Sequence, residues 1–108
     1  MDPDQVRRLE AKGWRFGTVQ EFLGLSDEES RYIELKLALH FAVCETRKEA
    51  GLTQAELAER MGSSQSRVAK IEGGDPNVSI DLMLRALFAL GMTSADLAET
   101  IAQADARS

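Results

Sequence analysis

Two short helix-forming runs separated by a single glycine, within residues 52–74, constrain the fold of this chain more than any other feature. The segment reads LTQAELAERMGSSQSRVAKIEGG. Helices this short are not stable alone, so each must pack on its partner and on other helices. Two helices joined by a turn of three or four residues cross steeply and come very close. The spacing therefore predicts a helix-turn-helix.

Two small residues stand where this geometry requires them. Ala58, the fifth residue counted from Gln54, lies where the two helices would touch and where a bulky side chain could not fit. Gly62, the ninth, lies in the turn, which needs a backbone conformation that only glycine adopts cheaply. The remaining inward positions carry apolar residues, namely Leu57, Met61, Val68 and Ile71.

The outward positions of the second run carry side chains that suit DNA. The major groove of B-DNA accepts one α-helix, and there a Gln amide can pair bidentately with adenine and a Lys can reach guanine. Free amides and small hydroxyls at helix N-termini suit phosphate oxygens. The alternative is a helical hairpin of some all-α protein whose polar face is only solvated. The candidate DNA-binding residues are Gln54, Ser63, Ser64, Gln65, Ser66, Arg67 and Lys70, with a small Ala69 that permits close approach.

Capping residues and glycines divide the rest of the chain into further helices. Ser26 with Glu29 predicts a capping box ahead of a long run that has neither Gly nor Pro before Gly51. The middle of this run is apolar on more than half its circumference, which predicts burial by the domain on one side and favours a partner chain on the other. No segment alternates polar and apolar residues as a strand does, so the sequence predicts an all-α fold. Further helix starts are predicted at Thr53 with Glu56, at Ser64, at Ser79, and at Thr93 with Asp96.

The segment 52–74 resembles, without gaps, the helix-turn-helix of the Cro/CI repressors, also called the XRE family. The likeness extends over about residues 36–100 and implies a five-helix, lambda-repressor-like DNA-binding domain, here with a lengthened first helix and an N-terminal arm. By motif position, the resemblance implies that Gln54 contacts the DNA backbone and supports a base-reading Gln65. It places Ser66 and Lys70 at other groove-facing positions, with Arg67 on the flank.

A second resemblance concerns the long leading helix and the segment before it, GWRFGTVQEFLGLSDEES. These resemble HigA-type antitoxins, a branch of the same family that pairs with RelE-like toxins. The resemblance implies an alternative function, an antitoxin that neutralises a small basic HigB/RelE-type toxin and represses its own promoter. The short link GDPNV departs from phage repressors, which carry a longer loop there, and this puts any backbone contact from the loop in doubt.

The charge balance must be reconciled with a polyanionic partner. The 108 residues carry a formal net charge of −5. Acidic residues concentrate in 1–35, which holds eight of the 18 Asp and Glu, whereas 43–76 carries five basic and six acidic residues. Within the latter segment Arg60, Arg67 and Lys70 can face one side. We therefore expect weak binding to random DNA, and a sequence preference that depends more on direct contacts with bases than on attraction to phosphates.

Other classes of protein are excluded by what the chain lacks. It has one Cys, Cys44, and one His, His40, so neither an intramolecular disulfide nor a Cys/His zinc site is available. We expect Cys44 to be a small buried residue and His40 to be packed or partly exposed, and the lone Cys fits a cytoplasmic location. No nucleophile–base pair, carboxylate pair or glycine-rich phosphate loop is present, so we expect no enzyme, no metal and no cofactor. No apolar run approaches the ~20 residues of a membrane helix.

One recognition helix reads too few bases for useful affinity, so we predict a twofold homodimer on a palindromic operator. The predicted dimer surface is C-terminal and consists of Leu90, Met92, Leu97 and Ile101. The apolar excess of the long helix is the competing candidate.

The chain is long enough for one domain with terminal extensions. We expect an arm over residues 1–25, packed on the body through Trp14 and Phe16, a DNA-binding domain over 26–104 and a tail over 105–108.

Overall fold

The computed structural model describes residues 23–107, with side chains for residues 23–105. No strand lies within residues 23–107, which confirms the predicted all-α class. The chain divides into two compact units at Glu34, and the core and the candidate site both belong to the second unit, Leu35–Arg107. The helices from Asp27 onward are α1 (Asp27–Glu49), α2 (Gln54–Met61), α3 (Gln65–Glu72), α4 (Ile80–Ala89) and α5 (Ser94–Arg107).

The predicted capping residues begin these helices. At α2, the Thr53 hydroxyl accepts from the Glu56 amide at 3.1 Å and the Glu56 carboxylate accepts from the Thr53 amide at 3.0 Å. These bonds satisfy two backbone donors that a helix N-terminus otherwise leaves without partners. The backbone bond from Thr53 also holds the pKa of Glu56 below its usual value. The same reciprocal pair forms at Ser26 with Glu29 and at Thr93 with Asp96, while Ser79 caps α4 with one bond.

A single apolar cluster holds the second unit together. Helix α2 packs against both α3 and α4, and α1 contributes residues from one of its sides. Fully burying a side chain of this size stabilises the fold by roughly 1.5–3 kcal/mol relative to leaving it exposed. The largest fully buried side chains are Leu39, Val43, Leu57, Val68, Ile71, Met83 and Leu87.

Helix α1 is buried on one side and open on the other. Leu39 and Val43 lie in the core with 1% and 0% exposure, whereas Leu37 and Phe41 are 57% and 58% exposed. The prediction that the domain covers one side of this helix is therefore confirmed, and no helix of residues 27–107 covers Leu37 and Phe41 on its other side.

His40 joins α1 to α3 from within the core. Its ring is 4% exposed, and Nδ1 lies 2.5 Å from the carbonyl oxygen of Ile71, to which it donates as Nδ1–H. This confirms the prediction of a packed histidine. Cys44, which was also expected to be buried, is instead half-buried, because it lies at the edge of the core near Glu72 and Arg47.

The structure describes little of the predicted N-terminal arm and most of the predicted C-terminal tail. Residues 1–22 of the predicted arm, including Trp14 and Phe16, lie outside the described residues. At the other end, α5 continues to Arg107, into the segment 105–108 that was expected to be a tail. The last residues of this helix include neither Gly nor Pro, so nothing in the local sequence stops the helix at 104.

Candidate nucleic-acid interface

The turn between α2 and α3 has the conformation that its sequence predicts. Gly62 adopts φ 64° and ψ 37°, the left-handed region, and its amide donates to the carbonyls of Ala58 and Glu59. A Cβ at Gly62 would meet nothing within 4 Å, so the requirement for glycine is one of backbone conformation rather than of space. Ala58 is 3% exposed, as expected for a small residue at a close approach of two helices.

Helix α3 separates cleanly into two faces. Val68 and Ile71 are fully buried in the core. The outward face carries Gln65, Ser66, Arg67, Ala69 and Lys70, all exposed. The residues predicted to face outward on this helix therefore do so, and they form a continuous polar surface around one small side chain.

The N-terminal end of α3 uses its own hydroxyl groups locally. Ser64 Oγ accepts a hydrogen bond from the amide of Arg67 at 3.2 Å and lies 3.1 Å from Ser66 Oγ. The Ser63 hydroxyl is buried and has no hydrogen-bond partner among the described residues, and its amide donates to Ala58. Of the three serines, Ser64 and Ser66 are thus exposed to an incoming phosphate, whereas Ser63 would have to rotate its side chain outward.

Gln54 is held in place by an ionic network that links α1, α2 and α3. Its Nε2 donates to Glu72 Oε1 at 3.2 Å. The same carboxylate accepts two bonds from Arg47, at 2.5 Å from Nε and 2.9 Å from Nη2. Arg47 also donates from Nη1 to the carbonyl of Leu52 at 2.7 Å. Because the amide nitrogen of Gln54 donates a hydrogen bond to Glu72, the protein itself fixes the orientation of the Gln54 side chain.

This network also determines the ionisation state of Glu72, which lies next to the exposed face of α3. The side chains of Arg47 and Glu72 are only 13% and 6% exposed. Burial opposes ionisation of Glu72, but hydrogen bonds from Arg47, Gln54 and Cys44 outweigh burial and hold the pKa of this carboxyl below its usual value. Glu72 is therefore ionised and paired inward, so the exposed charges of α3 are those of Arg67 and Lys70.

A groove beside α3 is lined by one basic side chain that the sequence analysis did not identify. Arg85, on α4, lines this groove of about 530 Å³ together with Arg67 and Lys70. It forms an exposed ion pair with Asp81 at 3.2 Å, one helical turn away. The available signal was a basic residue within the run IDLMLRALFAL, whose only other charged residue is Asp81, but the position of Arg85 beside α3 depends on how the helices pack. The other residues lining the groove are Asp75, Asn77, Val78, Ser79, Asp81 and Leu82.

The described residues offer no centre for metal chemistry. Among residues 23–105 no three His, Cys, Asp or Glu side chains are grouped so that they could hold a metal ion. Within the same part of the chain, no helix is both long and apolar enough to cross a membrane.

Comparison with known proteins places this geometry in a family. The family model described as Helix-turn-helix matches residues 45–97, which include α2, α3 and α4. An uncharacterized HTH-type transcriptional regulator of Haemophilus influenzae is 32% identical over 68 residues, which span 63% of this chain and 69% of the relative. No solved structure matches the chain significantly. With a matching family model and a curated relative whose length is largely covered, the chain belongs to the helix-turn-helix family of HTH-type transcriptional regulators.

Proposed function

We propose that this protein is a sequence-specific double-stranded DNA-binding transcriptional regulator that inserts α3 into the major groove. The observation that carries the proposal is the division of α3 into a buried face, with Val68 and Ile71, and an exposed face of short or flexible polar groups. A helix anchored this way presents hydrogen-bonding side chains rigidly, as base readout requires.

Each exposed residue has a role that its chemistry suits. Gln65 pairs bidentately with an adenine, and Lys70 reaches a guanine. Ser66 contacts a base edge or a phosphate, and Ala69 lets the helix approach closely. Arg67 stands on the flank and binds phosphate oxygens, which position the protein without reading sequence.

Phosphate contacts also come from the residues around the two helix starts. Gln54, Ser63 and Ser64 lie at or next to the N-termini of α2 and α3, where the helix dipole favours an anion. Gln54 is oriented by Glu72 and Ser64 by its own capping bond, so both are preorganised. Arg85, on α4, lines the same groove as Arg67 and Lys70 and supplies a third basic side chain there, paired with Asp81.

The protein acts as a homodimer on a palindromic operator in this proposal. Two copies of α3 would read half-sites whose centres lie about 34 Å apart. Leu90, Met92 and Leu97 pack partly against the core of their own chain, so the C-terminal candidate surface rests mainly on the exposed Ile101. The uncovered side of α1, with Leu37 and Phe41, is the competing dimer surface.

Selection of bound sequences from a random pool of duplexes tests the proposal. We expect enrichment of an inverted repeat with the half-site spacing of one helical turn. If that repeat overlaps a promoter in the genome, binding should repress transcription from it. The first promoter to examine is that of the protein's own gene. A pool that yields no enriched sequence after repeated rounds contradicts sequence-specific binding.

A second candidate function, an antitoxin of a HigB/RelE-type pair, is favoured by one observation. Leu37 and Phe41 leave a large apolar side of α1 exposed, and DNA binding through α3 does not use it. In this case the homodimer forms through the C-terminal surface, and the toxin covers the open side of α1 while the dimer represses its own promoter.

Genomic position and co-expression separate the two candidates. A short reading frame for a small basic RelE-like protein beside this gene, and a complex of the two proteins on co-expression, would support the antitoxin. Intact operator binding without such a neighbour or complex would favour the plain regulator.

A further inference from the structure

A stripe of three polar side chains on α1 contacts the C-terminal end of α3. Lys36, His40 and Arg47 are spaced i, i+4 and i+11, so they leave α1 from the same side. Each of the three binds a group within residues 71–76, which comprise the C-terminal end of α3 and the start of the link to α4. Gln65 lies at the opposite end of α3. The stripe therefore holds the recognition helix at the end remote from its first base-reading residue.

His40 binds a carbonyl group at the end of α3 that lacks a helical partner. The last four carbonyl groups of an α-helix have no amide four residues further on to bind them. Ile71 is the second-last residue of α3, and its carbonyl accepts from His40 Nδ1 at 2.5 Å and from the Gly74 amide at 3.3 Å. The His40 ring is 4% exposed, so water competes little for this carbonyl. The bond therefore ties the end of α3 to α1 within the core.

Lys36 holds the link that follows α3. Its Nζ donates to the carbonyl oxygen of Pro76 at 2.6 Å. The link is also fixed from within, since the Asn77 amide donates to Asp75 Oδ1 at 2.8 Å and the Asp75 amide donates to the Lys70 carbonyl at 3.1 Å. Because the link begins where α3 ends, a bond that holds Pro76 also limits how far that end of α3 can move.

The length of α3 makes the position of Gln65 sensitive to the opposite end of the helix. The eight residues span about 12 Å, so a rotation of about 10° at the C-terminal end would move Gln65 by about 2 Å. A binding contact tolerates a displacement of only about 0.5 Å. Val68 and Ile71 hold α3 by apolar packing, which is not directional, whereas hydrogen bonds constrain both distance and angle. The polar contacts from α1 therefore restrict the direction of α3 more closely than packing alone.

We propose that Lys36 and His40 are positioning residues for DNA readout, which set the orientation in which α3 presents Gln65 to the major groove. They act through α3 and not on the bases themselves. The inference rests on the proposed function, because it concerns the same recognition helix. Loss of a positioning residue should change which bases are preferred, although every side chain that contacts a base is still present.

Matched variants of the full-length protein test the role of Lys36. Lys36→Met removes the donor to Pro76 and keeps an apolar side chain of similar length, whereas Lys36→Arg retains a donor. Lys48→Met makes the same change of charge at an exposed position of α1 outside the stripe. The measured quantity is the preference ratio, which is the affinity for the selected operator divided by the affinity for a duplex altered at one base pair, taken for every operator position.

We expect Lys36→Met to lower the preference ratio at one or more positions at least about fivefold, the lower end of the discrimination that one bidentate base contact supplies. Lys36→Arg and Lys48→Met should keep every ratio within about twofold of wild type. A lost attraction to phosphates, or a smaller folded fraction, would lower both affinities alike and leave the ratio unchanged. The preference ratio thus separates positioning from charge and from stability.

Two further variants test the role of His40. His40→Gln keeps a nitrogen donor for the Ile71 carbonyl, whereas His40→Leu places an apolar side chain of similar size there. We expect His40→Leu to lower a preference ratio at least about fivefold and His40→Gln to lower it less. Thermal unfolding shows whether each variant is folded, and if His40→Leu does not fold, the Lys36 variants decide the outcome.

Amide hydrogen exchange adds a measurement that needs no DNA. The Gly74 and Asp75 amides bond to the carbonyls of Ile71 and Lys70 at the end of α3. They should exchange at least about tenfold faster in Lys36→Met than in Lys48→Met, because the link is less firmly held.

Unchanged preference ratios in Lys36→Met overturn the proposal, and so does a lowered ratio that Lys36→Arg does not restore or that Lys48→Met shares. A wild-type protein that enriches no operator is instead a failure of the proposed function. In that case exchange still shows whether Lys36 holds the end of α3, and equal exchange in Lys36→Met and Lys48→Met would overturn that role as well.

Discussion

Gln65 stands at the first position of α3 with its side chain exposed, and the core holds the backbone beneath it through Val68 and Ile71. A side chain on a helix that is held in this way can make a directional contact, because the helix is already ordered before DNA binds. Arg67 shares the surface but carries a charge, and a charge attracts every phosphate alike. The two residues should therefore differ in the kind of effect that their loss has.

Gln65→Ala should cost about 1–3 kcal/mol on the selected operator and relax preference at one base pair of each half-site. The measurement is the affinity for a panel of duplexes that carry each of the four base pairs at every operator position. Arg67→Ala is the matched comparison and should weaken all duplexes by a similar factor. If Gln65→Ala also lowers every affinity equally, Gln65 does not read a base.

Glu72 pairs with Arg47 between α3 and α1, and this pair should contribute to the stability of the fold. Glu72→Gln removes the charge that pairs with the part-buried Arg47 and should destabilise the fold by about 1.5–3 kcal/mol, the size of a hydrogen bond to a charged group. Urea unfolding measures the change. Combined with Arg47→Met, the loss should be clearly smaller than the sum of the two single losses, because each variant removes the same interaction. Additive losses would mean that the two side chains do not interact.

The Glu72 pair also predicts a pH dependence of stability. The pKa of Glu72 is lowered in the folded state, so its contribution is complete above the unfolded-state pKa of about 4.3. The contribution is lost as the pH falls from about 5 through the lower folded-state pKa. The difference in unfolding free energy between wild type and Glu72→Gln should therefore be largest near neutral pH and shrink in acid. A difference that stays constant with pH would contradict the lowered pKa.

At the scale of helices, the crossing of α2 and α3 determines how the proposed recognition surface on α3 is presented. Ala58 is buried at the base of the turn, while Ala55, on the same helix, is exposed. Ala58→Leu should destabilise the fold by about 1–3 kcal/mol through overpacking. Ala55→Leu changes the same residue type without such crowding and should stay within about 0.5 kcal/mol of wild type.

Chemical denaturation of the two variants checks this prediction, and operator affinity provides a second readout. Because Ala58→Leu would also tilt α3, operator affinity should fall for this variant more than for Ala55→Leu under conditions where both are folded. Equal stability of the two variants would show that the helices do not approach closely at Ala58.

The parts of the fold that could be predicted from the sequence are those set by local chemistry. Ala58 and Gly62 meet steric and backbone requirements of a tight turn, and the capping residues meet the needs of nearby amides. Positions within one or two helical turns suffice to predict such features. The outward face of α3 could be predicted in the same way, because Val68 and Ile71 are spaced so that both point to the core from one side of the helix.

The parts that could not be predicted depend on which helices become neighbours. Arg47 and Glu72 are separated by 25 residues, and neither residue type nor spacing indicates their pairing. The position of Arg85 beside Arg67 and Lys70 could not be predicted for the same reason. Helix α1 is apolar around much of its circumference, so its sequence did not indicate which side the domain covers.

At the scale of the whole molecule, a net charge of −5 is compatible with DNA binding because the outward charges of α3 itself are basic, although Asp75 and Asp81 line the same groove as Arg67 and Lys70. Glu72 is paired inward and Glu56 is bound at the helix cap, whereas Arg67 and Lys70 face outward. An acidic exterior elsewhere should weaken binding to random DNA and leave direct contacts with bases to supply more of the preference.

The salt dependence of operator affinity tests most directly whether α3 and its surroundings bind DNA. If a dimer neutralises about eight phosphates, the logarithm of the association constant should fall with the logarithm of salt concentration with a slope of roughly −7. Arg67→Ala, which removes one phosphate contact from each protomer, should make that slope shallower by about 2. A wild-type slope near zero would contradict DNA as the partner, and an unchanged slope for Arg67→Ala would contradict this face as the interface.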